Sequence, residues 1–223
     1  MGGVALLAAV VLLGAPATGA QTPAPGGRPS GVPSASAGEA KQSGEAATAV
    51  IERFHASILA VLRDAEALGY EGRFRRLAPA VEGAFDLAYM AEKVVGGQWK
   101  RLNENERQRW LLTFGQFMKA NYAGRFVGYS GQSFETLGNE PGAHGTAIVR
   151  TRLHNPAGED IDLTYRLRSI APGWRIIDIY LKGTVSELAL RRSEYSAVLE
   201  RDGFDALLKV VEARIADLAA DNQ

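Results

Sequence analysis

The chain has 223 residues, a formal net charge of zero and no cysteine. Disulfides, zinc–thiolate sites, thiol nucleophiles and lipid anchors on cysteine are thereby excluded. The charge balance gives no basic stripe with interleaved aromatics, so nothing points to a nucleic-acid partner.

Val4 to Leu13 is an unbroken apolar run. It is too short for a spanning helix, which needs about 20 residues, and fits the core of a secretory signal. Small residues follow, and Thr18-Gly19-Ala20 is an acceptable cleavage site before Gln21. A signal peptide over 1–20 and export are expected, with a retained apolar anchor as the alternative, since Met1-Gly2-Gly3 carries no Lys or Arg. Residues 21–44, rich in Pro, Gly, Ser and Ala, read as a disordered linker. A single folded domain is then expected over 45–223.

Ala46 to Leu68 places Val50, Phe54, Ile58, Val61 and Leu62 at helical spacing, with Gly69 as its end. A second short helix, Arg73 to Gly83, carries Leu77 and Val81 inward, and Pro79 bends or breaks it. Asp86 is a good N-cap for Leu87 to Val95, which Gly96-Gly97 stops.

Asn103 and Glu106 then form a capping-box start for the central helix, read as running to a stop at Gly131. Trp110, Phe114, Phe117, Met118, Tyr122, Phe126 and Tyr129 recur at steps of three and four along it. Gly115, Gly124 and Gly128 each cost a helix roughly 1 kcal/mol. Such glycines persist mostly where another backbone or a ligand comes close. Two readings share this pattern: a packed core, and an aromatic face that lines a cavity.

After Gly131 the period changes to two. Phe134 to Leu137 is a short extended segment. Ala147, Val149, Thr151 and Leu153 share one face of the next strand, and Ile161, Leu163, Tyr165 and Leu167 alternate against Asp162, Thr164, Arg166 and Arg168. In the last strand, Trp174 to Leu181, Ile176 and Ile177 are adjacent and break the alternation. Turns at Asn155–Gly158 and Ala171–Gly173 make this an antiparallel set. Ser186 caps a helix to Glu200, Asp202-Gly203 breaks it, and Phe204 to Leu218 is amphipathic. Helices, strands, then helices describe an α+β fold, one sheet covered on one face.

Catalytic patterns are weak. Gly128-Tyr129-Ser130-Gly131 approaches a nucleophile elbow, but position 132 is Gln and the stretch follows a helix. His55, His144 and His154 have no partners at metal-ligand spacing. Glu104/Glu106 and Glu159/Asp160/Asp162 read as cap and solvent-face residues. No cofactor loop is present, so no enzyme, metal or cofactor is expected. Arg73, Arg75 and Arg76 cluster in one segment and Arg191-Arg192 in another, either as a solvated face or as a positive rim for an anionic head group.

One run resembles a known family. Phe85-Asp86, Met90, Gly97, Trp99, the polar segment Glu104 to Arg109, Phe114, Phe117, Tyr122 and Tyr129-Ser130-Gly131 occur in order. A second block follows: Ile179 to Ser186, then Arg192-Ser193-Glu194-Tyr195 and Gly203-Phe204-Asp205-Ala206-Leu207. Together they are similar to the MlaC, or toluene-tolerance auxiliary, family of periplasmic phospholipid-binding proteins. Arg191-Arg192 stands where that family commonly has Tyr-Arg, and Asp202-Gly203 where it has Gly-Gly. Ser186 to Ala189 looks more like the hopanoid-associated HpnM branch.

The resemblance implies several helices on one face of a curved, mostly antiparallel sheet of roughly three to five strands, with a lipid cavity between the layers. It implies a lipid shuttle between an inner-membrane ABC transporter complex and an outer-membrane lipoprotein or porin complex. A hopanoid-linked accessory of the same fold is the alternative. Shielding two long acyl chains is worth on the order of 20 kcal/mol before ordering costs, at roughly 0.8 kcal/mol per methylene. Under this reading the lipid-facing residues are Phe85, Met90, Val94, Trp99, Phe114, Met118, Tyr122, Tyr165, Leu167, Trp174, Ile177 and Val185, and the head-group rim is Arg73, Arg75 and Arg76.

Overall fold

A computed structural model of the protein describes residues 37–171 and 173–221. The expected signal peptide and most of the expected linker lie outside them. Helix α1, Ala37–Arg63, begins inside the expected linker, ahead of Glu45. Its buried side is Val50, Phe54, Ile58, Val61 and Leu62, as the spacing requires.

The chain breaks at Asp64, not at Gly69. Helix α2, Ala65–Ala84, continues through Gly69, whose φ of 56° and ψ of −176° are not helical. Gly69 therefore kinks a helix where it was expected to end one; only a residue without Cβ holds that conformation at no steric cost. Pro79 sits inside α2 and is exposed.

Helix α3, Leu87–Val95, is capped as expected: the Asp86 side chain accepts from the Tyr89 N–H at 3.1 Å. The same carboxylate accepts from Arg168 Nε, and the Asp86 N–H donates to the Ile176 carbonyl at 2.9 Å. The cap thus fastens the helical layer to the sheet. A 3₁₀ turn, Gly96–Arg101, leads to α4, Glu104–Arg125. Both halves of the Asn103/Glu106 capping box are formed.

Trp110, Phe114, Phe117, Met118 and Tyr122 form the buried side of α4, and Trp110 Nε1 donates to the Ala91 carbonyl at 2.8 Å. The helix stops at Arg125, short of the expected Gly131. Residues 126–132 run without regular structure towards the sheet. Here the Gln132 side chain replaces the lost helical bonds: its Oε1 accepts from the Ser130 N–H at 2.7 Å and its Nε2 donates to Ser130 Oγ at 3.0 Å. Ser130 is a turn residue, and Phe126 stacks flat on Tyr122 at 5.8 Å instead of extending the helical stripe.

Among the described residues the sheet has five strands in the order β1-β2-β3-β4-β5. They are β1 (Ser133–Pro141), β2 (Thr146–His154), β3 (Ile161–Ile170), β4 (Gly173–Leu181) and β5 (Val185–Ser186), all antiparallel. Val149 pairs with Tyr165, and Tyr165 with Ile179, so one face collects Ala147, Val149, Leu153, Leu163, Tyr165, Leu167 and Ile176. The alternate positions carry Arg150, Arg152 and Asp162 towards solvent. The adjacency of Ile176 and Ile177 is a β-bulge: Arg166 pairs with Asp178 and Leu167 with Ile176, leaving Ile177 unpaired. A second bulge in the edge strand β1 leaves out Leu137, beside Gly138 at φ 148°.

Helices α5 (Glu187–Asp202) and α6 (Phe204–Ala220) close the layer. Ser186 caps α5, its Oγ accepting from the Ala189 N–H at 2.9 Å. Asp178 anchors that corner by accepting from Ser186 Oγ at 2.6 Å, from the Leu188 N–H at 3.1 Å and from the Ile179 N–H at 2.8 Å. The result is the expected α+β arrangement of helices over one sheet face.

Candidate functional site: a cavity between the helices and the sheet

The two layers do not close on each other throughout. A cavity of about 620 Å³ lies between them, within the span of roughly 300–1,000 Å³ usual for small-molecule sites. Its helical wall is Ile58 of α1, Met90 of α3, Phe114, Met118 and Tyr122 of α4 and Leu188 of α5. Its sheet wall is Phe134, Leu153, Leu163, Tyr165, Ile179 and Leu181, one from β1, one from β2 and two each from β3 and β4. Period two along the strands and steps of three to four along α4 aim these side chains inward. Methionines at two points of the helical wall give it adaptable packing.

A polar pair joins α1 to the sheet wall. His55 Nε2 is 2.9 Å from the Tyr165 hydroxyl, and the His55 ring stacks on Phe134 at 3.8 Å between centroids. Burial pushes the His55 pKa down to about 3, so the imidazole is neutral at ordinary pH. Burial also raises the Tyr165 and Tyr122 hydroxyls, which stay protonated.

The polar part of the lining comes from three helix ends: Asn121 and Arg125 of α4, Glu187 and Arg191 of α5, and Asp221 just past α6. Arg125 Nε donates to Asn121 Oδ1 at 2.7 Å. Arg191 lies over the Phe117 ring at 4.7 Å, and its Nη2 is 3.9 Å from Glu187 Oε2. Burial lifts the Glu187 pKa to about 7 against the pull of Arg191 and Arg125. Burial, then the charge of Arg191, lowers that of Arg125.

Of the residues expected from sequence to face lipid, the structure brings Met90, Phe114, Met118, Tyr122 and Tyr165 into this wall. The others sit elsewhere. Phe85 packs edge-on against Phe54 at 5.2 Å and near Tyr122 at 5.6 Å, one layer behind the lining. Val94 and Leu167 are fully buried in the core, and Ile177 is the bulge residue. Trp99 is half-buried under Arg107, Trp174 is half-buried at the start of β4, and Val185 is exposed.

The expected rim of Arg73, Arg75 and Arg76 is not at the cavity. Arg73 is buried between helices, its Nε donating to the Ala123 carbonyl at 2.8 Å and its Nη1 to the Ala65 carbonyl at 3.1 Å. Arg76 pairs with Asp64 at 2.9 Å on the surface, and Arg75 is exposed. The cationic side chains that do line the cavity are Arg125 and Arg191. Arg191 belongs to the other arginine cluster visible in the sequence; Arg125 gives no such signal because its place depends on where α4 stops.

No helix among the described residues is long and apolar enough to cross a membrane, and they hold no cluster of metal-ligating side chains. Comparison with known proteins adds three findings. The family model described as MlaC protein matches residues 52–213. The Haemophilus influenzae intermembrane phospholipid transport system binding protein MlaC is 24% identical over 142 residues, 62% of this chain and 66% of its own length, so the chain spans just under two thirds of that relative. A Ralstonia solanacearum phospholipid-binding protein, solved with a phospholipid, superimposes with a TM-score of 0.68 over 78% of this chain and 98% of its own, at 20% identity, which is a likeness of fold. The family match covers most of the chain and includes α4, the sheet and α5, and on that ground the protein belongs to the MlaC family.

Proposed function

We propose that this protein is a periplasmic lipid carrier that holds the acyl chains of a phospholipid in the cavity between its helices and its sheet. The observation that carries this reading is an apolar cavity of about 620 Å³ kept open inside an otherwise packed domain. Interiors of proteins are close-packed, and a space this large has no structural use. Lining it with side chains instead would recover contact energy at about 24 cal/mol per Å³. The Haemophilus relative, a binding protein of a phospholipid transport system, and the phospholipid in the Ralstonia structure support a phospholipid as the occupant.

In this role the protein takes lipid from one membrane complex and delivers it to another. We assign an inner-membrane ABC transporter and an outer-membrane lipoprotein or porin complex as the two stations, with export by the residue 1–20 signal. A carrier of this kind needs binding that is strong but reversible, and no catalytic group is assigned.

Mass spectrometry of lipid extracted from protein purified without detergent tests the reading. A near-stoichiometric diacyl phospholipid is expected. Met118→Arg or Tyr122→Arg places a charge in the wall and is expected to remove that lipid from folded protein. Folded wild-type protein with no lipid, and none acquired from phospholipid vesicles, would overturn it.

A further inference from the structure

The polar corner of the cavity is charged but poorly paired within the protein. Buried ion pairs that stabilise a fold close to about 2.7–2.9 Å and share hydrogen bonds. Here Glu187 Oε2 stays 3.9 Å from Arg191 Nη2, and Glu187 Oε1 is buried with no hydrogen-bond partner. Arg125 spends its Nε on Asn121, and among the described residues its two terminal nitrogens meet no acceptor. The other carboxylates near the corner do not complete the set. Asp178 is already occupied by Ser186 Oγ and the Leu188 and Ile179 N–H groups, and Asp221 is exposed at the mouth. Two guanidinium forks therefore face an apolar cavity with one ill-fitting carboxylate between them. That is the donor arrangement a tetrahedral oxyanion completes.

We propose that Arg125 and Arg191 receive the phosphate of the cargo's head group at the mouth of the cavity, and that Glu187 is the carboxylate which this phosphate displaces. The proposal deepens the carrier reading and rests on it. The acyl chains occupy the apolar wall, and the phosphodiester takes the two arginines. Glu187, left beside an anion, takes up a proton from solvent on loading and returns it on release. Its starting position suits this: burial already holds its carboxyl at about 7, with Asp178 adding to the rise and Arg191 and Arg125 opposing it. The other ionisable group facing it, the Tyr122 hydroxyl, is raised by burial and does not change charge in this range.

The test compares two lipids with identical chains, phosphatidylglycerol and diacylglycerol, binding to delipidated protein at pH 6, 7 and 8. Phosphatidylglycerol is expected to bind at least about tenfold more tightly, the worth of one or two hydrogen bonds to a charged group. Arg125→Gln and Arg191→Gln each are expected to narrow that gap. Phosphatidylglycerol is expected to bind up to about tenfold more tightly at pH 6 than at pH 8, and Glu187→Gln to flatten that dependence.

Equal binding of the two lipids by the wild-type protein would overturn the head-group site and leave the carrier reading standing, and needs no variant to fold. Failure of both lipids to bind would overturn both. Glycerol 3-phosphate binding at the same two arginines as tightly as the lipid does would make the corner a site for soluble phosphates and overturn its assignment to a lipid.

Discussion

His55 of α1 and Tyr165 of β3 meet at 2.9 Å across the boundary between the helices and the sheet. This buried polar contact borders the apolar part of the cavity wall. It keeps the Tyr165 hydroxyl satisfied while its ring faces the cavity, and Phe134 clamps the imidazole from the other side. His55→Phe leaves that hydroxyl without its partner and is expected to cost about 1–3 kcal/mol of stability, measured by urea unfolding at pH 7.

The same imidazole makes stability depend on pH. Its folded pKa of about 3 lies below the unfolded value of 6.5, so the unfolded chain binds the extra proton first. Stability is therefore complete above pH 6.5 and falls as pH drops from 6.5 towards 3, by on the order of a few kcal/mol over that window. Urea midpoints of the wild-type protein at pH 7 and pH 4.5 should differ in that direction, and His55→Gln should show a smaller difference. An equal difference in the variant would assign the acid sensitivity to carboxylates elsewhere.

Met118→Trp separates a cavity from a core. In a filled core the larger side chain would cost about 1–3 kcal/mol. Facing an open space of about 620 Å³, Met118 has room to grow. The variant is expected to unfold at the same or a higher temperature than empty wild-type protein, and to carry less lipid. A clear drop in melting temperature would show that the wall beside Met118 is already filled.

Two glycines of α4 should respond in opposite directions to alanine. A Cβ on Gly124 would lie 2.9 Å from Leu218 Cδ2 and 3.2 Å from the Leu218 carbonyl oxygen, so α6 would have to move. Gly124→Ala is expected to destabilise by about 1–3 kcal/mol. A Cβ on Gly115 meets nothing within 4 Å. Gly115→Ala is expected to stabilise by up to about 1 kcal/mol through helix propensity. Thermal unfolding of the pair checks both signs in one experiment.

Asp178→Ala removes three accepted hydrogen bonds at the junction of β4, β5 and α5. The loss of a largely buried acceptor is expected to cost about 2–4 kcal/mol. Because two of the three donors, Ser186 Oγ and the Leu188 N–H, sit at the start of α5, hydrogen exchange should quicken first there.

Local rules carried much of this fold into the sequence. The Asn103/Glu106 box, the Asp86 cap and the Ser186 cap each need only residues close in the chain, and all three are formed. The alternation of β3 reads directly, and the doubled isoleucine of β4 marks its bulge. What depends on packing was less legible. Helix α4 ends at Arg125 because Phe126 turns onto Tyr122 and Gln132 satisfies the following backbone, and neither event has a sequence signature of its own. A residue lining a cavity and one filling a core are chemically alike: Tyr122 reaches the cavity while Phe85, 5.6 Å away, stands behind it. Charge was easier to find than to aim. Arg73 looked like a rim and is an internal tie between helices; Arg191 faces the cavity because α5 turns it there.

The edge strand β1 bears on how one copy of the chain meets another. An open sheet ends in unpaired backbone groups that invite a strand from another molecule. Along β1 the bulge at Leu137 throws the pairing out of step, Gly138 adopts a conformation few residues could copy, and Glu135, Glu140 and Pro141 resist a docking strand. Helix α1 also reaches over this edge, where Thr136 Oγ1 donates to Glu52 and Asn139 Nδ2 to Thr48. An irregular, charged border of this kind lets the sheet keep an open edge without inviting polymerisation.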